Sequence, residues 1–209
     1  VVIVNAINLI DGVDGLAAGT GFIASIAFTY WFYKTGDLPL ALLAIGLGGS
    51  LMGFLFFNWQ PAKLFMGDSG SLIIGVVMFV LVMKMIEFPP YRLSVAMSDV
   101  SKPVLAMAIL AYPLIDTLRV FIIRTSKGRS PFSADKNHIH HRLLALGLTH
   151  RQVCLTLYLY TIFIIGLTFL MPARTPNISF LIVGSVAVLL ANSIFWFGPK
   201  KEKAPKGAS

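Results

Sequence analysis

Residues 38–57 read LPLALLAIGLGGSLMGFLFF, twenty successive residues without a charged side chain. A helix needs about 20 apolar residues to cross the hydrocarbon core of a bilayer. Comparable stretches, free or nearly free of charge, occupy residues 16–33, 71–85, 103–123, 153–171 and 178–197, and a shorter apolar run ends near Ile10. The pattern predicts an all-α fold, a polytopic transmembrane helix bundle with six full spans and a partial first helix.

The composition supports a membrane protein with no separate soluble domain. Of the 209 residues, 56% are hydrophobic and 12% are charged, whereas about 25% are charged in typical soluble domains. We predict one transmembrane domain over residues 1–199, which carries the candidate site, and a basic tail over residues 200–209. The one cysteine, Cys154, lies in an apolar run and is predicted to pack there. Because the chain opens inside an apolar run without Met, we expect it to be the C-terminal part of a longer polypeptide.

The net charge of +8 is distributed unevenly between alternate loops. One set of loops, including the tail, holds eleven basic residues, and the other set holds four. Lys and Arg in short loops favour the cytoplasmic side, so the first set is predicted to be cytoplasmic. The positive charge therefore lies along one membrane face and does not indicate nucleic-acid binding. The four basic residues of the opposite loops are Lys34, Arg92, Lys102 and Arg174.

The first polar motif, residues 5–16, reads NAINLIDGVDGL and ends the partial first helix. Its carboxylates, Asp11 and Asp14, are three residues apart, and a glycine follows each. This spacing suits a tight turn that gathers oxygen ligands and backbone amides. The alternative is a polar helix cap. Two carboxylates with Asn5 and Asn8 at a membrane face favour a functional site.

The second motif, residues 57–71, reads FNWQPAKLFMGDSGS and leads directly into the next span. Asp68 lies at the predicted helix start, where free amides and the helix dipole favour anions. Asp is also among the best N-cap residues, so Asp68 could cap the helix. A capping carboxylate can still offer an oxygen to Mg²⁺. Both interpretations of Asp68 remain open at this stage.

The third motif is the longest loop of the basic set, and it contains His138, His140 and His141 within four positions. Flanking basic residues make it a cluster of donors suited to a diphosphate. Zinc is the alternative ligand, but the sequence lacks a nearby Cys or an HExxH pattern. Asp116, near the end of the preceding span, could be functional or could pair with Arg119.

Together the three motifs resemble those of the polyprenyl-phosphate N-acetylhexosamine-1-phosphate transferases, the MraY and WecA family. The resemblance covers the whole chain and rests on NxxNxxDGxDGL, FNxxPAxxFMGDxGS and SPFSxDxxHIHH. The HIHH sequence is similar to the WecA branch, which uses UDP-GlcNAc. The family's adjacent Asp-Asp pair, linked to the acceptor phosphate and the metal, does not occur in this sequence. We therefore expect the isolated chain to be inactive.

The resemblance implies residue roles. Mg²⁺, with Mn²⁺ as an alternative, bridges the donor diphosphate, and Asp68 is a metal ligand. Phe65 stacks on uracil, and Asn58 lines the nucleotide-sugar pocket. The residues implied to be catalytic are Asp68, Asp11, Asp14, His138, His140 and His141. The further residues implied to bind substrate are Asn5, Asn8, Arg124, Arg129 and Arg142.

The implied activity is the transfer of GlcNAc-1-phosphate, or a related N-acetylhexosamine-1-phosphate, from a UDP-sugar to undecaprenyl phosphate with release of UMP. This step starts lipid-linked cell-envelope glycans at the bacterial cytoplasmic membrane. The implied partners are the UDP-sugar, the polyprenyl phosphate and the bilayer, and a homodimer is compatible with the resemblance. The alternatives are a phospho-MurNAc-pentapeptide translocase of the same family, an ion-coupled transporter and an inactive fragment.

Overall fold

The computed structural model describes residues 1–93, 95–128, 138–171 and 175–196, and this part of the chain is helical without strands. The all-α prediction is confirmed. The predicted tail over residues 200–209 lies outside the described residues. The helices are α1 (Val2–Leu9), α2 (Leu16–Lys34), α3 (Leu38–Asn58), α4 (Gly67–Glu87), α5 (Val95–Ser98), α6 (Lys102–Ile109), α7 (Ala111–Ser126), α8 (Ile139–Ala145), α9 (His150–Phe169) and α10 (Pro176–Ser193). Short 3-10 helices occupy Pro90–Arg92 and Ile194–Trp196.

Five helical segments of the described chain are long and apolar enough to cross a membrane. They are α2, α3, α4, α9 and the segment Pro176–Trp196, which joins α10 to its 3-10 extension. A sixth candidate is the pair α6 and α7, whose axes differ by 74°. With this pair counted as one span, the number of spans agrees with the sequence prediction.

The predicted continuous span over residues 103–123 is broken at Leu110, and Pro113 accounts for the break. Proline lacks an N–H, and its ring clashes with the carbonyl of the residue four positions earlier in a helix. That residue is Ile109, the last residue of α6. The bend directs α7 toward α1, and these two helices enclose the site described below.

Helix α2 forms the centre of the bundle. Within its most apolar 18-residue window 61% of the residues are buried, against 22% for α3 and for Pro176–Trp196. Small buried residues at its start, among them Ala17, Ala18 and Gly19, let neighbouring helices approach closely. Peripheral helices expose large apolar side chains such as Leu42 and Phe56. Such exposure is expected where a helix faces lipid rather than water.

Candidate active site

A cavity of about 800 Å³ lies between α1, α7 and the segment that contains the three histidines. Polar side chains from all three segments line it: Asn5, Asn8, Asp11, Arg124, His138, His140 and His141. Apolar side chains, including Val2, Leu9, Leu114, Leu118 and Phe121, line the rest of its wall. Residues separated by more than 100 positions in the sequence therefore share one site that is both polar and apolar.

The loop DGVDG, residues 11–15, follows the end of α1 and places Asp11 in the cavity wall. Gly12 lies against His140, because a Cβ atom added at Gly12 would be 2.8 Å from the His140 Nε2 atom. Gly15 has φ +84°, a left-handed conformation that favours glycine. The two glycines thus have different roles: Gly12 allows a close approach, and Gly15 allows the turn into α2.

The carboxylates of the first two motifs are close enough to influence each other. Burial, together with the negative charges of Asp68 and Asp14, raises the pKa of Asp11 to about 6. Asn8 links α1 to α4, because its Nδ2 atom donates to Asp68 Oδ1 at 3.0 Å and to Ser71 Oγ at 2.9 Å. A side chain at the cavity wall therefore orients Asp68, which is itself exposed.

The second loop, residues 59–66, is tied to the DGVDG loop by two side chains. Asn58 is buried, with its Oδ1 atom accepting from the Gly15 amide at 2.9 Å and its Nδ2 atom donating to the Leu64 carbonyl at 2.8 Å. The Asp14 Oδ2 atom accepts from the Ala62 amide at 3.3 Å. Both contacts fix the position of one loop relative to the other.

The histidine cluster, His138, His140 and His141, is held by buried groups of α7. Asp116 is fully buried, and its Oδ2 atom lies 3.0 Å from His138 Nδ1, while its Oδ1 atom accepts from the Ile139 amide at 2.8 Å. The Tyr112 hydroxyl lies 3.3 Å from His140 Nδ1. The rings of His138 and His140 are stacked, with centroids 5.4 Å apart and planes 12° apart.

The environment of His140 favours a neutral imidazole at physiological pH. Its pKa is lowered to about 4, mainly by burial; the Asp116 charge opposes this shift, and His141 and His138 act in the same direction as burial. A neutral imidazole carries one N–H, so the hydrogen bond at Nδ1 decides whether Nε2 donates or accepts. The Tyr112 hydroxyl can donate to Nδ1 or accept from it, so this contact is compatible with either neutral tautomer of His140.

Residues 1–86 match the family described as Glycosyl transferase family 4. The chain is 40% identical over 169 residues to a Mycolicibacterium smegmatis protein named decaprenyl-phosphate N-acetylglucosaminephosphotransferase, and that match covers 76% of this chain and 42% of the relative. The undecaprenyl-phosphate alpha-N-acetylglucosaminyl 1-phosphate transferase of Escherichia coli K12 is 33% identical over 155 residues, covering 71% of this chain and 40% of that protein. The chain is thus similar to glycosyl transferase family 4 over residues 1–86.

The family model covers the first two motifs, while the histidine cluster lies beyond residue 86. The match to the Mycobacterium tuberculosis protein of the same name also covers 42% of that protein. The chain therefore spans about 42% of the length of the mycobacterial relatives that it matches. With five to six candidate spans among its described residues, this chain is a multi-pass membrane protein.

Several residues predicted to bind substrate have distinct environments in the structure. Arg124 is buried in the cavity wall, and Asn5 lines the cavity from its exposed position on α1. Phe65 is 78% exposed on the second loop. Arg142 is half-buried on α8, with its guanidinium carbon 5.7 Å from the Phe195 ring centroid. Arg129 lies outside the described residues. Their roles toward substrate stay predictions.

Burial is the main cause of the raised pKa of Asp11, and the negative charges of Asp68 and Asp14 contribute to it. A bound cation would offset the part that comes from these charges. Among the described residues, however, no group of three His, Cys, Asp or Glu side chains has an arrangement that could hold a metal ion. A cation at Asp68 would therefore require ligands in addition to those of the described chain, such as substrate phosphates or water.

The structure bears on two alternatives that the sequence left open. Asp68 is the second residue of α4, and Met66 occupies the N-cap, so Asp68 is not the capping residue. An acidic side chain in the first helical turn is still favoured by the dipole. Asp116 contacts His138 and the Ile139 amide, while Arg119 stacks on Phe195 with its guanidinium carbon 3.3 Å from the ring centroid.

Three residues that support the site are not identified by the sequence motifs: Tyr112, Cys154 and Arg151. Tyr112 lies in an apolar span, and Cys154 is predicted only to pack. Arg151 has the ordinary sequence context of a positively charged cytoplasmic loop residue, yet its guanidinium donates to the Gln60 carbonyl from Nε and Nη2. The spacing of Arg151, Cys154 and Tyr158 on one face of α9 was the available signal, but their partners are remote in the sequence.

Proposed function

We propose that the protein transfers N-acetylhexosamine-1-phosphate, with GlcNAc as the preferred sugar, from a UDP-sugar to a polyprenyl phosphate and releases UMP. The main support is the cavity in which Asp11, Arg124 and the histidine cluster share a wall with apolar side chains. A reaction between a charged nucleotide and a lipid needs both surfaces in one place. The names of the relatives, which specify decaprenyl or undecaprenyl phosphate and N-acetylglucosamine, support the substrate assignment.

The polar wall is suited to a diphosphate. Arg124 supplies a permanent positive charge, and the Asp116 carboxylate accepts the Nδ1 hydrogen of His138, leaving its Nε2 atom for the substrate. His140, being neutral, contributes a directional hydrogen bond rather than charge. These groups would hold the donor diphosphate and stabilise charge as it develops on the departing UMP oxygen.

The apolar wall is suited to the acceptor lipid. Leu118 and Phe121 on α7 line the cavity and are 58% and 43% exposed, and Val2 on α1 is 65% exposed. Apolar side chains that face both a cavity and the membrane surroundings form a path for an isoprenoid chain. The lipid phosphate could then reach the polar wall and attack the phosphorus next to the sugar.

A divalent cation, Mg²⁺ with Mn²⁺ as an alternative, belongs to this proposal. Asp68 would be its ligand from this chain, held by Asn8, and the cation would neutralise the diphosphate and polarise it toward attack. We further propose that the loops bearing the three motifs face the cytoplasm at the bacterial inner membrane. The excess of basic residues in these loops supports this orientation.

The test measures transfer of radiolabelled GlcNAc-1-phosphate to undecaprenyl phosphate, together with UMP release. One sample contains membranes with the polypeptide as it is expressed in its natural host, called here the native polypeptide. A second sample contains residues 1–209 alone. We expect cation-dependent transfer by the native polypeptide and none by residues 1–209 alone. Transfer from UDP-MurNAc-pentapeptide instead of UDP-GlcNAc would support the other branch of the family, and protonmotive uptake without UMP release would support a transporter.

A further inference from the structure

One face of α9 contacts both loops of the candidate site. Arg151, Cys154 and Tyr158 are separated by three and four residues, which places them on the same side of a helix. Each donates to a backbone carbonyl: Arg151 to Gln60 at 3.1 and 2.7 Å, Cys154 to Asp14 at 3.2 Å, and Tyr158 to Gly15 at 2.5 Å. The acceptors belong to the DGVDG loop and to the second loop.

The Tyr158 ring occupies a space that only a glycine can leave open. A Cβ atom added at Gly19 would lie 1.9 Å from the Tyr158 hydroxyl and 2.1 Å from the ring carbon that bears it. The phenol therefore lies directly on the first turn of α2 and reaches the Gly15 carbonyl from there. A larger residue at position 19 would displace the whole ring.

The same loop is held from its other side. The Gly15 amide donates to Asn58, and the Asp14 side chain accepts from the Ala62 amide. The carbonyls of Asp14 and Gly15 are bound by α9. The Asp14–Gly15 peptide group is thus restrained from two directions, by Cys154 at its carbonyl and by Asn58 at its amide. These contacts fix the backbone that carries Asp11 and Asp14.

We propose that Tyr158 is a positioning residue for the UDP-sugar: with Cys154 and Arg151, it fixes the backbone of the DGVDG loop and of the second loop. The inference rests on the proposed transferase function, because it assigns Tyr158 a role through Asp11 and Asp14. Tyr158 does not line the cavity itself. Its effect should appear in the binding of the nucleotide sugar rather than in the binding of the lipid.

The test compares Tyr158→Phe with Tyr160→Phe in the native polypeptide. Tyr160 lies on the same helix, and its hydroxyl donates to the Ala187 carbonyl at 3.0 Å, far from both loops in sequence. Each variant loses one hydroxyl and one hydrogen bond to a carbonyl. We expect Tyr158→Phe to raise KM for UDP-GlcNAc about tenfold and to leave KM for undecaprenyl phosphate unchanged. Tyr160→Phe should leave both KM values unchanged.

A second pair of variants perturbs the contact from the opposite side. Gly19→Ala should raise KM for UDP-GlcNAc at least as much as Tyr158→Phe, and the double variant should be no worse than Gly19→Ala alone, because both remove the same contact. Gly49→Ala is the control, since a Cβ atom at this position on α3 meets nothing within 4 Å.

The outcomes separate the two proposals. A merely structural role would reduce the amount of folded enzyme, and so Vmax, without changing KM for either substrate. If the native polypeptide is active and Tyr158→Phe has the same KM values as Tyr160→Phe, the positioning role is wrong and the proposed function stands. If the native polypeptide transfers no sugar phosphate, the proposed function itself is overturned, and the positioning role with it.

Discussion

The Asp116 Oδ2 atom lies 3.0 Å from His138 Nδ1, and both side chains are buried. The other carboxylate oxygen accepts from the Ile139 amide, so Asp116 holds both the ring and the backbone of the segment that carries the histidine cluster. A carboxylate at Nδ1 fixes the tautomer of an imidazole and leaves Nε2 available for substrate. Asp116 thus acts on the proposed reaction through His138 while its own side chain stays away from solvent.

Replacing Asp116 by Asn should lower kcat for sugar-phosphate transfer about 100-fold, because the amide can present an N–H to Nδ1 and favour the wrong tautomer. The measurement is the initial rate of UMP release at saturating substrates. Asp37→Asn provides the control: Asp37 caps α3 on the opposite side of the bundle, and Asn is an equally good N-cap. Equal rates in the two variants would show that the Asp116–His138 contact has no part in turnover.

Gly12→Ala tests the contact between the DGVDG loop and the histidine cluster. The added methyl group would lie 2.8 Å from His140 Nε2, and His140 is confined by burial and by Tyr112. We expect a loss of about 1–3 kcal/mol in the free energy of unfolding and at least a tenfold loss of activity. Thermal unfolding in detergent and the transfer assay measure the two effects. Gly53→Ala, at an open position of α3, should change neither.

Asp68→Asn tests the proposed cation ligand. Asn retains the size of the side chain and an oxygen that can accept from Asn8, but it lacks the charge that binds a divalent cation. We expect turnover to fall about 100-fold or more and the Mg²⁺ concentration for half-maximal activity to rise. Asp99→Asn, an exposed change beyond α5, is the control. A wild-type Mg²⁺ dependence in Asp68→Asn would remove the metal role from Asp68.

The spans, and the polar residues that lie at their ends, could be predicted from local patterns. A membrane-spanning helix satisfies its backbone hydrogen bonds internally, so its apolar run suffices to identify it. Polar residues at the ends of such runs, such as Asp11 and His140, are conspicuous for the same reason. The bend at Leu110 was not predicted, although Pro113 in mid-span, which disrupts the helix at Ile109, is the signal for it in the sequence.

The contacts that support the site could not be predicted in this way. Arg151 and Gln60 are 91 residues apart in the sequence, and Tyr158 and Gly15 are 143 apart. No local periodicity specifies which carbonyl an arginine or a tyrosine will reach across a bundle. The same limit applies to Gly12, which the sequence assigned to a tight turn and the structure places against His140.

The lowered pKa of His140 predicts a pH dependence of stability that can be isolated with His140→Gln. The unfolded chain binds a proton at this histidine near pH 6.5, whereas the folded chain does so only near pH 4, because burial disfavours the imidazolium. The neutral form of His140 therefore contributes to the free energy of unfolding. This contribution is present in full above pH 6.5 and is lost as the pH falls toward 4. His140→Gln should lack this loss, so its unfolding temperature should decline less than that of the wild type between pH 7.5 and pH 4.5.

Comparison with the variant is needed because Asp11 acts in the opposite direction. Burial and the charges of Asp68 and Asp14 raise the pKa of Asp11 to about 6, so the folded chain binds a proton there more readily than the unfolded chain. Protonation of Asp11 therefore stabilises the folded state increasingly as the pH falls below 6 toward the ordinary pKa of a carboxyl group. That contribution is common to both proteins and cancels in the difference between them. Parallel pH profiles of the unfolding temperature for the wild type and His140→Gln would contradict a buried, neutral imidazole at this position.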